Sequence, residues 1–597
     1  MAIFAFKEDQ ALGEVTRVET ARVCVRVTSP DRLRVARVGR LVAVKGRDAN
    51  EWVIGMIEKV WRRPAEPAEV EELVEEEEAI EATVAEENGV QLVLVGTYRA
   101  REGVQKDYFT RAVLTLPTID EFAYPIEEKA LEDFMGIISR EAEKAAETPL
   151  AVGCFTLDPK ATAFLDGNKL FQRHAALVGS TGAGKSWAVA SLTEQAAKLP
   201  HANVIVFDLH GEYKPLSFAR HLRVAGPGDL QAPAEDVIFL PYWLLNYEEM
   251  QALLVDRSEQ NAPNQAMILN DSVARAKRDL LERLDKSEVL ESFTIDSPVP
   301  FSLDEVESTI DAKNTEMVPG TTKLVKGDFN GKLTRFLLRL RAKRSDRRYG
   351  FMYEVPEAAM KYEYLHELAE KLLGHGEAAD TLNPGIKVVD FSEVPSDVLP
   401  VMLGLVARLV FQIQFWADPA PDERERHPVL LVCDEAHLYM PSLSGDTNPL
   451  ERRAVENFQR IAKEGRKYGV GLLVVSQRPS EISTTILSQC NNFIALRLTN
   501  RDDQGIIRRL MPESLEGILE ILPALEMGEA VIVGDAILLP TRVKLSEPVH
   551  KPLSSTIDFW ERWMQEDVKS NLVQAVENMR RQTRVAKVKG KAKAKAS

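Results

Sequence analysis

The sequence feature that most constrains the fold is GSTGAGKS at residues 179–186, which fits the pattern G-x-x-x-x-G-K-[ST] in full. The apolar stretch AALVG (175–179) leads into it, and the helical pattern WAVASLTEQAAK follows it. A glycine-rich turn between a strand and a helix directs backbone N–H groups and the positive helix end at phosphate oxygens. The sequence therefore predicts a phosphate-binding P-loop inside an α/β domain.

Each residue of this motif is a candidate ligand of a nucleotide, and the expected cofactors are ATP and Mg²⁺. Lys185 is expected to reach the β- and γ-phosphates, and Ser186 is expected to bind Mg²⁺. The remaining residues are expected to wrap the phosphates with their backbone; they are Gly179, Ser180, Thr181, Gly182, Ala183 and Gly184.

From this motif onward, stretches rich in Val, Ile and Leu alternate with helical stretches. They are AALVG (175–179), NVIVFDL (203–209), GIKVVDF (385–391), VLLVCDE (429–435), VGLLVVSQ (470–477) and NNFIALRL (491–498). Continuous apolar strands separated by helices are typical of a parallel sheet covered on both faces. We therefore predict an α/β fold with a parallel P-loop sheet.

The rest of the chain is predicted to add smaller parts to this core. Residues 1–116 carry short alternating strands with frequent turns, which are typical of a small β-barrel, with an acidic insertion at 66–89. The other predicted parts are a connector (117–170), a first core segment (171–245), a helical insertion (246–349), a second core segment (350–545) and an extended tail (546–597) with a basic end.

Charge is distributed unevenly along the chain. The net charge of −16 does not favour nucleic acid binding, because nucleic-acid-binding proteins usually carry a basic surface. However, residues 66–89 are almost purely acidic and residues 580–597 are basic. We expect both segments to be solvated and mobile, and the first to be partly helical.

Several features favour a soluble cytoplasmic protein without membrane contact. The start, MAIFAFKEDQ, carries charges too early for a signal peptide. The apolar run 398–416 is interrupted by a proline, an arginine and two glutamines, so a buried or amphipathic helix is expected there. The scattered cysteines have no metal-binding spacing and are expected to stay reduced; they are Cys24, Cys154, Cys433 and Cys490.

The acidic pair Asp434–Glu435 ends an apolar strand, where ligands usually meet an α/β sheet. Asp434 is expected to hold Mg²⁺ through water, and Glu435 is expected to polarise the water that attacks ATP. Gln477 ends the following strand and is expected to sense the γ-phosphate. Two solvated acids at a strand end, and a strand cap at Gln477, remain the alternatives.

The letters DEAH at 434–437 name a large class of helicases, but this chain does not fit that class. Those helicases place DEAH much closer to the P-loop, follow it with a Ser-Ala-Thr motif, and add a second P-loop-like domain. Here a helical insertion and an extra strand intervene, and SQRPS (476–480) stands in place of Ser-Ala-Thr. No sequence remains for a second such domain.

Several stretches together resemble the HerA family of hexameric DNA translocases, relatives of the FtsK pumps. They are RHAALVGSTGAGKS, FDLHGEY, LLVCDEAHLYMP, RIAKEGRKYGVGLLVVSQRPSEIS and LSQCNNFIALRLTNRDDQ. The resemblance covers nearly the whole chain, and the combination of DLHGEY with EGRKYG and SQRPSEIS is specific to the family. It implies a RecA-like ATPase core, an N-terminal barrel and a helical-bundle insertion.

The resemblance also implies a homo-hexamer whose ATP sites lie between subunits and are completed by a neighbour's arginine. That arginine corresponds to Arg173, and a second arginine, acting in cis, corresponds to Arg466. A guanidinium at either place would neutralise charge that develops on the γ-phosphate. A strand cap at Arg173 and a helix-end charge at Arg466 remain the alternatives.

Two further groups of polar residues have more than one interpretation. Asp208, His210 and Glu212 are expected to form a polar relay between nucleotide and translocation loop, with loop capping as the alternative; a zinc site lacks a third ligand. Double-stranded DNA is expected in the ring pore, where cations meet phosphates regardless of sequence. The candidate cations, each also explicable as a solvated helix face, are Lys214, Arg220, Lys332, Arg335, Arg339 and Arg341.

Two functions from different classes remain open. The first is a motor that translocates on duplex DNA and feeds a partner nuclease in DNA end processing and repair. The second is an ATPase ring scaffold that assembles and switches an effector enzyme, a nuclease or a sirtuin-like enzyme, in antiviral defence. In both, the partner is expected to dock on the N-terminal barrel, and the identity of the neighbouring gene would separate them.

Overall fold

The computed structural model describes residues 3–583 except positions 28, 49, 65–85, 101–106, 145–148, 320, 322, 375–382, 419–425, 446, 513–514, 555–558 and 565–570. Most of the acidic insertion and the end of the basic tail therefore lie outside the described residues. The chain divides into two compact units. Unit 1 comprises residues 1–195, 473–481 and 487–551, and unit 2 comprises residues 196–472, 482–486 and 552–597.

The strands are described in chain order. They are β1 (Gly13–Val18), β2 (Arg22–Arg26), β3 (Leu41–Lys45), β4 (Glu51–Pro64), β5 (Glu86–Arg99), β6 (Tyr108–Thr110), β7 (Phe122–Pro125), β8 (Pro149–Phe155), β9 (Thr162–Asp166), β10 (Ala175–Val178), β11 (Val204–Asp208), β12 (Ala219–Val224), β13 (Val237–Ile238), β14 (Met317–Pro319), β15 (Leu324–Lys326), β16 (Asn383–Asp390), β17 (Val429–Cys433), β18 (Val470–Ser476), β19 (Asn492–Leu496), β20 (Glu529–Gly534) and β21 (Thr541–Leu545).

The α-helices follow in the same way. They are α1 (Pro30–Val35), α2 (Glu128–Lys144), α3 (Gly167–Gln172), α4 (Lys185–Ala197), α5 (Tyr247–Leu254), α6 (Ala262–Arg283), α7 (Ser287–Glu291), α8 (Leu303–Thr315), α9 (Thr334–Ser345), α10 (Gly350–Tyr353), α11 (Tyr364–Leu373), α12 (Leu399–Trp416), α13 (Pro449–Glu464), α14 (Thr484–Leu487), α15 (Arg501–Leu510), α16 (Glu516–Leu519), α17 (Phe559–Trp563) and α18 (Leu572–Arg581).

Six strands of unit 1 close into a small barrel. Their order is β2-β1-β7-β3-β4-β5, and β5 pairs back onto β2, while β6 pairs with β5 outside the ring. Alternate side chains point inward along each strand, so Val15, Val23 and Val42 are fully buried in the barrel core. The ring needs β7, so the barrel extends beyond its predicted end at residue 116.

The range predicted as a connector, 117–170, is also structured. It contains β7, helix α2 and the hairpin β8–β9, and β8 pairs with β21. The barrel and the sheet of unit 1 therefore both extend into it. Little in the sequence indicated this, because a four-residue strand such as FAYP (122–125) carries too few apolar residues to stand out from a loop.

Strand β10 is central in the sheet of unit 1, because it pairs in parallel with β18 on one side and β19 on the other. The sheet continues from β19 through β20, β21, β8 and β9 by antiparallel pairing. All residues of Ala175–Val178 are fully buried, as expected for a central strand covered on both faces. Strand β18 begins in unit 2 and ends in unit 1.

The sheet of unit 2 has the order β13-β12-β16-β11-β17, and its pairs are parallel. The predicted strands β11, β16 and β17 are present, whereas β12 and β13 were not predicted. In β12 the sequence ARHLRV places charged or polar side chains between apolar ones, so it lacks a continuous apolar run. Together the units confirm the predicted class: an α/β fold with parallel central strands, an N-terminal barrel and a helical insertion.

The helical insertion in unit 2 holds α5 to α9 and a short hairpin, β14–β15. A buried ion pair joins its first helix to the core helices. Arg408 on α12 donates to both carboxylate oxygens of Glu249 on α5, at 2.8 and 2.7 Å, and Asn457 on α13 donates to the same carboxylate at 3.0 Å. Removing one member of such a pair costs about 3–5 kcal/mol, because it leaves a buried charge without a partner.

Among the residues that the structure describes, one helix has the length and apolar composition needed to cross a membrane, and it is α12. However, 72% of this helix, Leu399–Trp416, is buried inside the protein. The core helix of a folded domain has the same composition, so this helix is weak evidence for a membrane span. It agrees with the predicted buried helix.

Candidate nucleotide-binding site

The P-loop of unit 1 links β10 to α4 and takes the backbone conformation that its glycines allow. Gly182 has φ +73° and Gly184 has φ +104°, a region that side-chain-bearing residues rarely adopt. A side chain at Gly179 would meet the Cβ of Leu496 at 2.8 Å. Ser180 N donates to Arg497 O at 2.8 Å, which fixes the start of the loop against β19. The motif therefore forms a tight turn in front of a helix.

Lys185 and Ser186 open helix α4, which runs for 13 residues. The Lys185 side chain is largely buried, and its Nζ donates to Ser180 O at 3.5 Å, so the ammonium lies over the loop. The N-terminal end of a helix and a lysine at its first residue together form a site for an anion. These residues fit a bound nucleotide phosphate, with the Ser186 hydroxyl as a ligand for Mg²⁺.

Gln477 follows β18 and lies beside the P-loop in unit 1. Thr181 Oγ1 donates to Gln477 Oε1 at 2.6 Å. The amide is therefore held against the loop by a side chain of the loop itself. A residue that senses the γ-phosphate needs such a position, because it must respond to whether a phosphate group is present.

Asp434 follows β17 in unit 2 and is largely buried. Its Oδ2 accepts a hydrogen bond from the Tyr213 hydroxyl at 2.7 Å, and its Oδ1 accepts one from Glu435 N at 2.9 Å. Burial raises the pKa of Asp434 to about 7, and the nearby Glu435 carboxylate also raises it. A bound cation would favour the ionised form, so an oriented carboxylate in this environment fits a Mg²⁺ site.

Glu435 has a strained backbone and an unsatisfied side chain. Its φ of +47° and ψ of +43° lie in the left-handed region, which costs a non-glycine residue roughly 1–3 kcal/mol. Its Oε2 is buried and accepts no hydrogen bond from the described residues, although His437 Nδ1 lies 3.4 Å away. Such strain is usually kept at functional sites, and the unsatisfied oxygen could accept a proton from a water molecule.

The loop DLHGEY follows β11, and Asp208 organises it. The carboxylate of Asp208 accepts hydrogen bonds from the backbone N–H groups of His210 (3.2 Å), Gly211 (2.8 Å), Glu212 (3.0 Å) and Tyr213 (3.0 Å). Burial nevertheless raises the pKa of Asp208. Loop capping, the alternative to a relay, thus describes Asp208. The described residues hold no group of three or more His, Cys, Asp or Glu that could bind a metal.

Tyr213 was missed by sequence reasoning, although it ends the quoted motif FDLHGEY. It is fully buried, and its hydroxyl is the side-chain donor to Asp434. The prediction for this motif was built on its charged and titratable residues, and the phenol of Tyr213 was not among them. The signal that could have found it is its place: a hydrogen-bonding aromatic residue shortly after a central strand, at the edge where ligands bind.

The two candidate arginines have different surroundings. Arg173 directly follows helix α3 in unit 1 and forms an ion pair with Asp535, just after β20. Arg466 lies in unit 2, in the turn Gly465–Tyr468, with its side chain exposed. Arg173 therefore has a partner in its own chain, and its expected role toward a neighbouring subunit remains a prediction.

Some of the basic residues predicted to bind DNA contact groups of this chain instead. Arg339 donates to Glu259 and Leu254 O, Arg341 donates to Glu307, and Lys214 lies 3.3 Å from Asp390. Arg339 and Arg341 are thus accounted for by contacts within the insertion, in line with the alternative of an ordinary helix face. Exposed or half-exposed positions remain at Arg220, Lys332 and Arg335.

Comparison with known proteins gives one consistent result. Residues 150–410 match the family model described as the central domain of helicase HerA. The chain is 27% identical over 401 residues to the DNA double-strand break repair helicase HerA of Sulfolobus acidocaldarius, covering 66% of this chain and 68% of that protein. It is 27% identical over 423 residues to the protein of the same name from Pyrococcus furiosus, covering 66% and 69%.

A shorter stretch is more similar to a third relative. It is 42% identical over 120 residues, 20% of this chain and 23% of the other, to the probable DNA double-strand break repair helicase HerA of Methanocaldococcus jannaschii. These comparisons show that the chain is similar to the HerA family, above all over residues 150–410. With a complete P-loop between β10 and α4, the chain is an ATPase.

Two solved structures are also similar to this chain. The bacterial conjugative coupling protein TrwB is 13% identical with a TM-score of 0.40, covering 68% of this chain and 90% of the TrwB chain. VirB4 of Thermoanaerobacter pseudethanolicus is 17% identical with a TM-score of 0.40, covering 68% and 98%.

Proposed function

We propose that this chain is an ATP-driven motor that translocates on double-stranded DNA and works with a partner nuclease in the repair of DNA ends. The observation that carries the proposal is Glu435, whose strained backbone and unsatisfied carboxylate oxygen suit the activation of water. The same chain has a complete P-loop, and its relatives include proteins named as DNA double-strand break repair helicases. An intracellular DNA substrate implies a cytoplasmic location.

The proposed chemistry divides among the residues described above. Lys185 and the loop backbone bind the phosphates, and Ser186 and Asp434 hold Mg²⁺, the latter through water. Bound Mg²⁺ would neutralise phosphate charge during the reaction. Glu435 accepts a proton from the attacking water, and Gln477 senses the γ-phosphate. Together these roles account for hydrolysis of ATP by a single P-loop domain.

The proposed assembly is a homo-hexameric ring with ATP bound between subunits. Closed rings are a common form of homo-oligomer, and a guanidinium supplied by a neighbour accelerates phosphoryl transfer strongly. Arg173 would act on the neighbour's nucleotide after leaving Asp535, and Arg466 would act on its own. DNA would pass through the pore, where phosphate contacts do not depend on base sequence. Arg220, Lys332 and Arg335 are the remaining candidates for those contacts.

The proposed partner is a nuclease docked on the N-terminal barrel. The barrel has no assigned role in ATP hydrolysis, and among the described residues β6 forms strand pairs with β5 alone, which makes its other edge the candidate place for a strand of a partner. A nuclease at this position would receive DNA that leaves the pore. Deleting residues 1–126, which includes β7, should abolish nuclease capture in a pull-down, while nucleotide binding persists and a size measurement reports the assembly. Full retention of the partner would move the docking site elsewhere.

The motor function is tested by displacement of a third strand from a DNA triplex. The wild-type chain should displace it with ATP, and Glu435→Gln should bind ATP and DNA without displacement. The matched control is Glu481→Gln, an exposed glutamate paired with Arg478, which should behave as wild type. ATP hydrolysis without triplex displacement would contradict the motor. The identity of the enzyme encoded beside this chain would then separate a nuclease partner from another effector.

A further inference from the structure

The loop after β11 is held in one shape by a single carboxylate. Asp208 accepts four backbone N–H groups from the five residues that follow it, and the last of these belongs to Tyr213. This fixes the place where the Tyr213 side chain leaves the loop. The loop has other attachments in unit 2, since Glu212 O accepts from Leu553 N at 2.7 Å. Tyr213 thus belongs to a loop whose backbone is fixed by these hydrogen bonds.

The Tyr213 side chain reaches the carboxylate of Asp434 and makes a specific contact with it. Its hydroxyl donates to Oδ2 at 2.7 Å, while the other oxygen, Oδ1, accepts from Glu435 N at 2.9 Å. Both oxygens therefore have a donor, and the plane of the carboxyl group is fixed from two sides. A second phenol, Tyr439, donates to the backbone oxygen of Asp434 at 2.9 Å.

A phenol suits this position for an electrostatic reason. An arginine or lysine next to Asp434 would also donate a hydrogen bond, but its positive charge would oppose a bound Mg²⁺. A neutral hydroxyl orients the carboxylate and leaves its charge for the cation. Groups in this position around a metal site typically change metal affinity or activity by about 10–100-fold when they are lost.

We propose that Tyr213 is the positioning residue for the Mg²⁺ carboxylate Asp434, and that through it the loop 208–213 sets the affinity of the site for Mg²⁺. The inference rests on the proposed role of Asp434. It assigns the DLHGEY motif a role different from a polar relay, because Asp208 shapes the loop and Tyr213 transmits that shape to the carboxylate. A large buried side chain that only fills the core would need no hydroxyl at this place.

The test is Tyr213→Phe in the full chain, which removes the hydroxyl and keeps the ring. The Mg²⁺ concentration for half-maximal ATP hydrolysis should rise about tenfold. Binding of a fluorescent ATP analogue should weaken by a similar factor in Mg²⁺ and stay unchanged in EDTA. The matched control, Tyr439→Phe, removes the phenol that contacts the backbone oxygen instead, and should leave the Mg²⁺ dependence within about twofold of wild type.

Asp434→Asn separates this inference from the function on which it rests. In an Asp434→Asn chain, Tyr213→Phe should cause no further loss of Mg²⁺-dependent binding, since the carboxylate is already absent. A loss that persists there, or that also appears in EDTA, would mean that Tyr213 acts only through packing, and would overturn the inference. The inference is also overturned if Tyr213→Phe leaves the Mg²⁺ dependence of ATP hydrolysis unchanged while Asp434→Asn abolishes that dependence. If Asp434→Asn binds Mg²⁺ and nucleotide as wild type does, the proposed function itself is wrong.

Discussion

The phosphate loop (Gly179–Ser186) and the carboxylate cluster (Asp434, Glu435 and Tyr213) are built in different ways. The phosphate loop is one continuous segment whose shape depends on glycines with positive φ and on the start of a helix. The carboxylate cluster joins two segments separated by more than the whole helical insertion. Its shape depends on a hydrogen bond between buried side chains and on a strained, non-glycine residue.

This difference shows what each region can tolerate. In the proposed site, backbone N–H groups of the loop would bind phosphate, so most of its side chains should matter less than its glycines. In the carboxylate cluster each side chain has a separate role, since Asp434 is oriented, Glu435 is left unsatisfied, and Tyr213 orients. We therefore expect substitutions of the loop glycines and of Lys185 to act on nucleotide binding, and those in the cluster to act on turnover or on Mg²⁺.

The largest effects should separate the two regions directly. Lys185→Ala should abolish nucleotide binding, because the phosphates lose the cation that lies over the loop. Glu435→Gln should keep binding and lose hydrolysis by at least about 10³-fold, since the water loses its carboxylate. Equilibrium binding of a labelled nucleotide and steady-state hydrolysis measure these outcomes. Near-normal hydrolysis by Glu435→Gln would show that the carboxylate cluster is not the part of the site that controls turnover.

The next effect concerns Arg173, which lies near the loop in sequence but whose proposed target is a neighbour. Arg173→Ala should reduce hydrolysis by about 10³-fold, and mixing it with Glu435→Gln chains should restore part of the activity. Recovery is expected where an intact Glu435 meets a neighbour's intact Arg173. The control is Asp535→Asn, which removes the partner of Arg173 in its own chain and should keep hydrolysis.

Two results would count against this role of Arg173. Verified mixed assemblies that recover no activity would exclude it as the residue supplied by a neighbour. Equal loss of hydrolysis in Arg173→Ala and Asp535→Asn would mean that the ion pair only maintains the fold. A stable monomer with full activity in sedimentation would remove the ring from the proposal altogether.

The same difference explains what could be predicted from sequence. The phosphate loop and the apolar central strands are local patterns, so their types and positions were predicted closely. Strand β12 was missed, because its alternating charged residues are stabilised by neighbouring strands and not by its own composition. Tyr213 was missed for a related reason: nothing in its local sequence indicates the partner Asp434, which only the folded sheet brings within 2.7 Å. The strain at Glu435 is likewise a property of the folded backbone.

A smaller effect should reveal that strain. Asparagine adopts positive φ at lower cost than most residues, so Glu435→Asn should raise the free energy of unfolding by about 1 kcal/mol relative to Glu435→Gln. Both variants should lack hydrolysis, which makes Glu435→Gln the matched control. Thermal unfolding of the two proteins side by side measures the difference. Equal melting temperatures would show that Glu435 stores no strain, and that the cluster differs from the loop only in its side chains.

The smallest effect should come from the hydrogen bond that joins Thr181, in the phosphate loop, to Gln477. Thr181→Val removes the hydroxyl that donates to Gln477 Oε1 at 2.6 Å and keeps the shape of the side chain. A single neutral hydrogen bond contributes about 0.5–1.5 kcal/mol, so kcat should fall about threefold to tenfold while KM stays unchanged. Thr181→Ser, which retains the hydroxyl, should match wild type. In a Gln477→Ala chain the same Thr181→Val change should have no further effect, because the amide that it orients is already gone; a further fall there would mean that Thr181 contributes to the loop independently of Gln477.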